Sequence, residues 1–354
     1  AGKARCGICV TDGHSAKIAR RSQEGPWRSR LTTPIAWGIA IKSVFSWCVV
    51  AGSALCLVAG CAAVPDSIPG SGPAPSQFDS GLDNQLGLTF SPDGKTAYWV
   101  AWNGTWGSEP TSRLTIYWSR QSRDAWSDPA PAPFSQKYSD SDPFVSPDGK
   151  WVYFVSDRPV AGEEQPGDDN IWRYSLSNGT LEGVPVNSDA EEFSPVVTAS
   201  GTLYFASDRD GGFGQGDLYS ATAVGGSFSE PTRLGPAVNS VHGEWNLWVA
   251  DDECEMIFEA SARPTNVSVP GDLYYSFRTV DGWQEAVPIT ALNSEHSDLM
   301  PRLHPAGRTL YYTVAPLGGH ARVATASPGD RPSAAAWFET TVPKQGSPAR
   351  RCQE

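Results

Sequence analysis

The sequence predicts an all-β chain folded as a five-bladed β-propeller, each blade made of four antiparallel strands. Three observations predict it. A turn-centred motif recurs with its turn residue at Gly94, Gly149, Gly201, Glu253 and Gly307, spacings of 55, 52, 52 and 54. A period of that size with several strands per unit is the signature of radially repeated blades. The composition fits short strands and tight turns: 35 Gly, 29 Pro, 11% aromatic and only 19% charged residues. Within each unit, aromatic and β-branched residues alternate, as in KWVYFVS (150–156).

Each unit resolves into four strands, A to D. Strand A is short, as in PFVS (143–146). The turn SPDG (146–149) follows, with Pro and Asp in leading positions and a Gly able to take positive φ. Strand B carries the aromatics. A loop leads to strand C: LTIYWSR (114–120), NIWRYSL (170–176), DLYSATA (217–223) and DLYYSFR (272–278). Strand D is marked by Trp126, Leu181, Phe228, Trp283 and Trp337, and ends near VNS or LNS before the next strand A. One four-stranded sheet cannot bury both faces alone. Stacked radially, each blade covers its neighbour, and large aromatics fill the wedge between them. Residues 83–342 hold close to five periods of about 53 residues. The alternative is a sixth blade completed from the segments on either side.

The head of the chain differs in kind. Residues 1–61 hold 8 of the 27 Lys and Arg but 2 of the 39 Asp and Glu, which leaves 19 basic and 37 acidic residues for the body. A body of that sign argues against nucleic acid or an anionic membrane surface as partner. After Lys42 the chain is apolar or small as far as Val64, with basic residues upstream, as in an export signal. An uncleaved spanning helix is the other reading of this run. Residues 1–34 show no periodicity and are expected to come from an over-extended start of translation, so residues 1–60 read as a signal peptide with an N-terminal extension. Residues 61–82, rich in Pro, Gly and Ser, read as a flexible linker, and 343–354 as a C-terminal tail.

Val58-Ala59-Gly60-Cys61 resembles a bacterial lipobox. The resemblance implies cleavage before Cys61 and a diacylglycerol on its thiol, which would anchor the body without a spanning helix. It also implies, from Ala62 in place of an Asp, the outer membrane. FSPDGK (90–95), VSPDGKWVYFVSDR (145–158) and LYFASDRDGGFGQGDLYSA (203–221) resemble the TolB-type, WD40-like propeller repeats of bacterial envelope proteins. That resemblance covers residues 83–342. It implies a periplasmic or surface propeller that binds an envelope protein or a cell-wall polysaccharide, without implying one activity. The N-terminal α/β domain of TolB has no counterpart here.

Nine residues before each turn position stand Gln85, Asp140, Glu192, Glu244 and Asp298. Strand A of a propeller lines the central channel, so these acids are expected as a ring at its mouth. Oxygen ligands in a ring suit a hard cation such as Ca²⁺, or a cationic ligand. The competing reading is a lattice in which Arg158 and Arg209, from the Ser-Asp-Arg loops, and Arg263, at the matching place in blade 4, pair with the ring acid of a neighbouring blade. Asn170, Asp217 and Asp272 at the start of strand C read as loop caps.

Catalytic patterns are sparse. The four His of the body, His242, His296, His304 and His320, share no repeat position and no metal-ligand spacing. There is no G-x-S-x-G elbow, P-loop or dinucleotide fingerprint. The enzyme alternative is a glycosidase or lyase using the channel carboxylates. Past Cys61 only Cys254 and Cys352 remain, a candidate disulfide in an exported domain. The reading is therefore an exported, lipid-anchored binding propeller. A third possibility puts its binding surface in variable loops rather than in the channel.

Overall fold

The structure, a computed structural model, describes residues 72–73, 76–123, 125–160, 165–307 and 309–326. Five antiparallel sheets are arranged around a ring. Strands A, B and C are Asn84–Phe90, Thr96–Trp102 and Thr115–Ser122 in blade 1, and Asp140–Val145, Trp151–Ser156 and Asn170–Ser175 in blade 2. In blade 3 they are Glu192–Val197, Thr202–Ser207 and Asp217–Val224. In blade 4 they are Gly243–Val249, Glu255–Ser261 and Asp272–Thr279, and in blade 5 Ser297–Leu303, Leu310–Ala315 and Arg322–Ala326. Strand A of each blade packs against strand A of the next, and the ring closes between blades 5 and 1. The fold is the expected five-bladed propeller.

The outer edges hold the expected strand D residues. Trp126, Leu181, Phe228 and Trp283 each lie in a short edge strand paired with strand C. Blade 5 differs. Its outer edge is Gly72–Pro73, antiparallel to Ala324 and Thr325. The expected edge residue, Trp337, lies outside the described residues. The ring thus closes by giving an upstream segment to the last blade, so the fold draws on part of the stretch read as a linker. Ser76–Phe78 forms one turn of 3₁₀ helix, and Phe78, 4% exposed, packs against Phe90, Trp99 and Trp126 with ring centroids 5.0–5.8 Å apart.

The core lies between blades. Trp99, Phe154, Phe205, Phe258 and Tyr312, from the five B strands, are among the largest fully buried side chains. The A–B turns repeat one device. The Asp of SPDG accepts a hydrogen bond from the Ser hydroxyl and from the Lys amide, in blade 1 (Asp93) and in blade 2 (Asp148). In blade 4 Glu253 takes the place of Gly at φ 58°. Its carboxylate accepts from Thr198, Ser200, Tyr204 and Arg278, so the strained turn is held by bonds reaching into blade 3.

Two faces follow from this meander. The A–B and C–D turns lie on one, the turn face. The B–C loops and D–A connections lie on the other, the loop face.

Candidate functional site

The four predicted ring acids occupy equivalent places, at the loop-face end of strand A, and all four are fully buried at 0% exposure. Each is held in a separate node. Arg158 Nη2 meets Asp140 Oδ1 at 2.5 Å, Arg209 Nη2 meets Glu192 Oε1 at 2.8 Å, and Arg263 Nη2 meets Glu244 Oε1 at 2.8 Å. The expected partner was a neighbouring blade. Instead each Arg pairs within its own blade. The A–B hairpin explains this: Asp140 lies opposite Ser156 and Glu192 opposite Ser207, so an Arg two residues further on hangs over the same acid.

The guanidinium does more than neutralise. The same Nη2 donates to the carbonyl of Phe134, Val186 or Val238, in the connection entering that blade. Its plane stacks on aromatics of strands B and C: Phe154 and Trp172 for Arg158, Phe205 and Tyr219 for Arg209, Phe258 and Tyr274 for Arg263.

The Asn-Ser pairs seen in the sequence complete the nodes. Asn187, Asn239 and Asn293 each bond both backbone groups of the strand C residue before them in space, Ile171, Leu218 and Leu273. The following Ser188, Ser240 and Ser294 donate amide and hydroxyl to Glu192, Glu244 and Asp298. One dipeptide thereby seals the edge of one blade and pins the acid of the next. Blade 5 has no Arg in its node, where the run Ala315–Leu317 replaces Ser-Asp-Arg. Asp298 Oδ1 is buried with no hydrogen-bond partner, and burial lifts that carboxyl to about 7. Among the described residues, no three His, Cys, Asp or Glu side chains are grouped as metal ligands are.

The predicted strand C caps behave as such. Asp217 accepts from the amides of Phe213 and Gly214, Asp272 from those of Val267 and Ser268, while Asn170 donates to the Asp168 carbonyl. Cys254 is disulfide-bonded. Cys352 and the lipidation candidate Cys61 lie outside the described residues.

Sequence reasoning missed a second ring, two residues further along each strand A. Gly87, Asp142, Ser194, Asn246 and Met300 all take positive φ, between 30° and 64°. Each sits at a β-bulge, where the A–B register shifts. Four of the five are Gly, Asp, Ser or Asn, residues suited to this conformation, and that was the available signal. Across the axis, Ser194 donates its amide to Asp142 Oδ2 at 2.9 Å, and its hydroxyl lies 2.9 Å from the same oxygen and 2.6 Å from Asn246 Oδ1. Asn246 donates to Glu259, and Met300 Sδ abuts Gly87. These side chains are almost wholly buried, so they plug the axis. Burial drives the carboxyls of Asp142 and Glu259 upward, Glu259 to about 8. Arg302, also buried, falls to about 10, with Asp142 as its electrostatic counterweight. Ser194→Ala should cost about 1–3 kcal/mol, since it strips the buried Asp142 carboxylate of a donor. A chemical denaturation curve measures it; a change below 0.5 kcal/mol would mean the plug is not under tension from that bond.

Two of the open surfaces among the described residues carry apolar side chains. On the turn face, near the axis, a cleft of about 410 Å³ is lined by Phe144, Trp248, Leu303 and prolines of three A–B turns, with Asp251 and Asp252 on its rim. On the loop face, Phe213, Val241, Val267, Val269 and Leu317 are 41–75% exposed. The first four flank one connection: Gln215 donates to His242, and Arg263 reaches Val238.

No protein-family model matches the chain, and no curated protein sequence does. Solved structures do. A protein of Agrobacterium tumefaciens assigned as TolB is 19% identical, with a TM-score of 0.46, over 70% of this chain and 78% of that one. A puromycin-hydrolysing peptidase of Mycobacterium tuberculosis is 14% identical, TM-score 0.38, over 65% of this chain and 34% of the peptidase, so this chain spans about a third of that enzyme. An α-L-arabinofuranosidase of Lactobacillus brevis is 13% identical, TM-score 0.41, over 67% of this chain and 88% of the enzyme. These likenesses concern the fold alone. Among the described residues, no helix is long and apolar enough to cross a membrane.

Proposed function

We propose that this propeller is the binding module of an exported envelope lipoprotein, lipid-anchored through Cys61, that holds an envelope protein on its loop face. One observation carries the reading: the exposed apolar side chains of Phe213, Val241, Val267 and Val269 gather on that face at blades 3 and 4. Contiguous exposed apolar side chains on a folded domain mark interaction surfaces. The channel acids argue the other way for catalysis. Each is turned inward on an Arg or a Ser-Asn node, where a sugar-cleaving site needs carboxylates converging on one bond.

A photo-crosslinking residue placed at Phe213 or Val241 in the full chain, in its own cells, tests this. One envelope protein should be captured there and not from Val280, an exposed residue of the turn face. Phe213→Ser with Val241→Ser should abolish capture while stability moves by about 0.5 kcal/mol or less, as surface changes do. Equal capture from Val280 would overturn the proposal. So would oligosaccharide turnover that survives the double change but is lost in Glu192→Gln.

A further inference from the structure

The geometry points to the turn-face cleft as a binding site for a small organic cation, an amine or quaternary ammonium carried on an apolar body. Comparison of the blades exposes its two unusual parts. The first is the wall. Phe144 and Trp248 stand four residues after the acids Asp140 and Glu244 of their blades, and the same register holds Thr89, Val196 and Arg302 in the other three. Both aromatics are half-buried, rooted in the cores between blades, and both line the cleft. The second is the rim. Two residues before the turn position, blades 1, 2 and 5 carry Pro92, Pro147 and Pro305, all three on the cleft. Blade 4 carries Asp251 at that place, followed by Asp252. A carboxylate thus stands where the repeat otherwise supplies an apolar edge.

The charges have no answer from the protein. Asp252 Oδ1 accepts from the Cys254 amide at 3.1 Å, the turn bond that Asp93 and Asp148 also make. The Asp251 side chain makes no hydrogen bond among the described residues. In the neighbouring turns Asp148 has Lys150, and Glu253 has Arg278. Asp251 and Asp252 are exposed and pair with no cation among the described residues. His304, also on the wall, is pushed below its ordinary range by burial and is neutral at pH 7. Arg302 is 2% exposed and donates Nη1 to the Leu247 and Pro301 carbonyls. Aromatic faces and carboxylates attract the same sign of ligand. A cation over Trp248 meets the negative face of the ring, within the field of the two acids, while its apolar body covers Phe144, Leu303 and the prolines. A volume of about 410 Å³ lies in the range of small-molecule sites. Packing between blades sets the walls, so the cleft needs little ordering on binding.

Titration calorimetry on the full chain tests this. The probe is benzyltrimethylammonium, and phenylacetate supplies an aromatic ring with the opposite charge. The cation should bind with Kd below about 1 mM, a modest demand on a ligand of its size. Phenylacetate should bind at least about tenfold more weakly. Trp248→Leu should weaken the cation roughly three- to thirtyfold, the range of a cation–π contact. Asp251→Pro gives blade 4 the residue of blades 1, 2 and 5. The Asp251 amide donates no backbone hydrogen bond among the described residues, so the turn can accept it. That variant should lose about five- to tenfold in cation affinity and most of the preference over phenylacetate. Asp251→Asn keeps the shape of the turn and should move the affinity in the same direction. Phenylacetate bound as tightly as the cation would overturn the proposal, as would no cation binding at about 10 mM. So would an affinity that both Asp251 variants leave unchanged. A loss with Asp251→Asn but none with Trp248→Leu would make the acids a bare charged patch and remove the cleft from the site. Photo-capture on the loop face should be unaffected by these variants, so the two readings fail separately.

Discussion

Arg158→Ala is expected to destabilise the propeller by about 3–5 kcal/mol, the cost of leaving a buried carboxylate without its cation. Arg158 is 5% exposed and Asp140 not at all. The guanidinium also bonds Ser156 and the Phe134 carbonyl, and lies between Phe154 and Trp172. Its loss therefore uncouples the B–C loop from the connection arriving from blade 1. The three nodes should rank by burial. Arg158 should cost most, then Arg263 at 10% exposure, then Arg209 at 18%, because water replaces a partly exposed cation more readily. Part of the loss should be recovered in acid, where a protonated Asp140 needs no counter-charge. Denaturant titrations of the three Arg→Ala variants at pH 7 and pH 5 measure both effects. Equal costs of under 1 kcal/mol at every node would show that the acids, and not the pairs, carry the lattice. Asp140→Ala added to Arg158→Ala should cost less than the sum of the two single changes.

The second large effect concerns pH. Glu259 is 3% exposed and its carboxyl is pushed to about 8 by burial, helped by Asp142, Asp272 and Asp298. The Asn246 amide, its hydrogen-bond donor, works in the opposite direction. A folded-state value above the unfolded one means that the native chain holds a proton which the unfolded chain releases. Stability is then fully present below the unfolded value and is lost as pH rises through the folded one. Going from 4.5 to about 8, this single group should remove about 4–5 kcal/mol of stability. Asp298, lifted to about 7, adds to the same slope. The protein should accordingly melt higher at pH 5 than at pH 9. Glu259→Gln copies the protonated form and keeps an oxygen to accept from Asn246. It should match the parent at pH 5 and exceed it at pH 9. Parallel melting curves for parent and variant between those limits would show that Glu259 is ionised in the native state.

The blades were legible because the features that build them are local. A turn glycine, a Ser-Pro-Asp lead and an aromatic strand B are each set within a few residues, and their period exposes the architecture. The acids at 140, 192, 244 and 298 were found for the same reason, and their arginines with them. Their pairing was misread because it depends on hairpin register, which the sequence carries only indirectly. The axial plug escaped notice because its five positions share a backbone conformation and not a side chain. Gly87 and Met300 fill equivalent places with nothing in common but positive φ. The Asn-Ser dipeptides were visible only as strand ends, since their work is done in two blades at once.

The closure of blade 5 by Gly72–Pro73 has a mechanical side. A load drawn through the residues ahead of Gly72 acts first on a two-residue pairing with Ala324 and Thr325, and next on the Phe78 pocket. The seam between blades 1 and 5 is fastened separately, by Gln85 to Ala321, Trp106 to Gly319 and Asn84 to Ala321. A pull applied there would peel the short edge while the ring stays shut. Under the proposed anchorage at Cys61, that edge would act as a fuse at the point where tension enters.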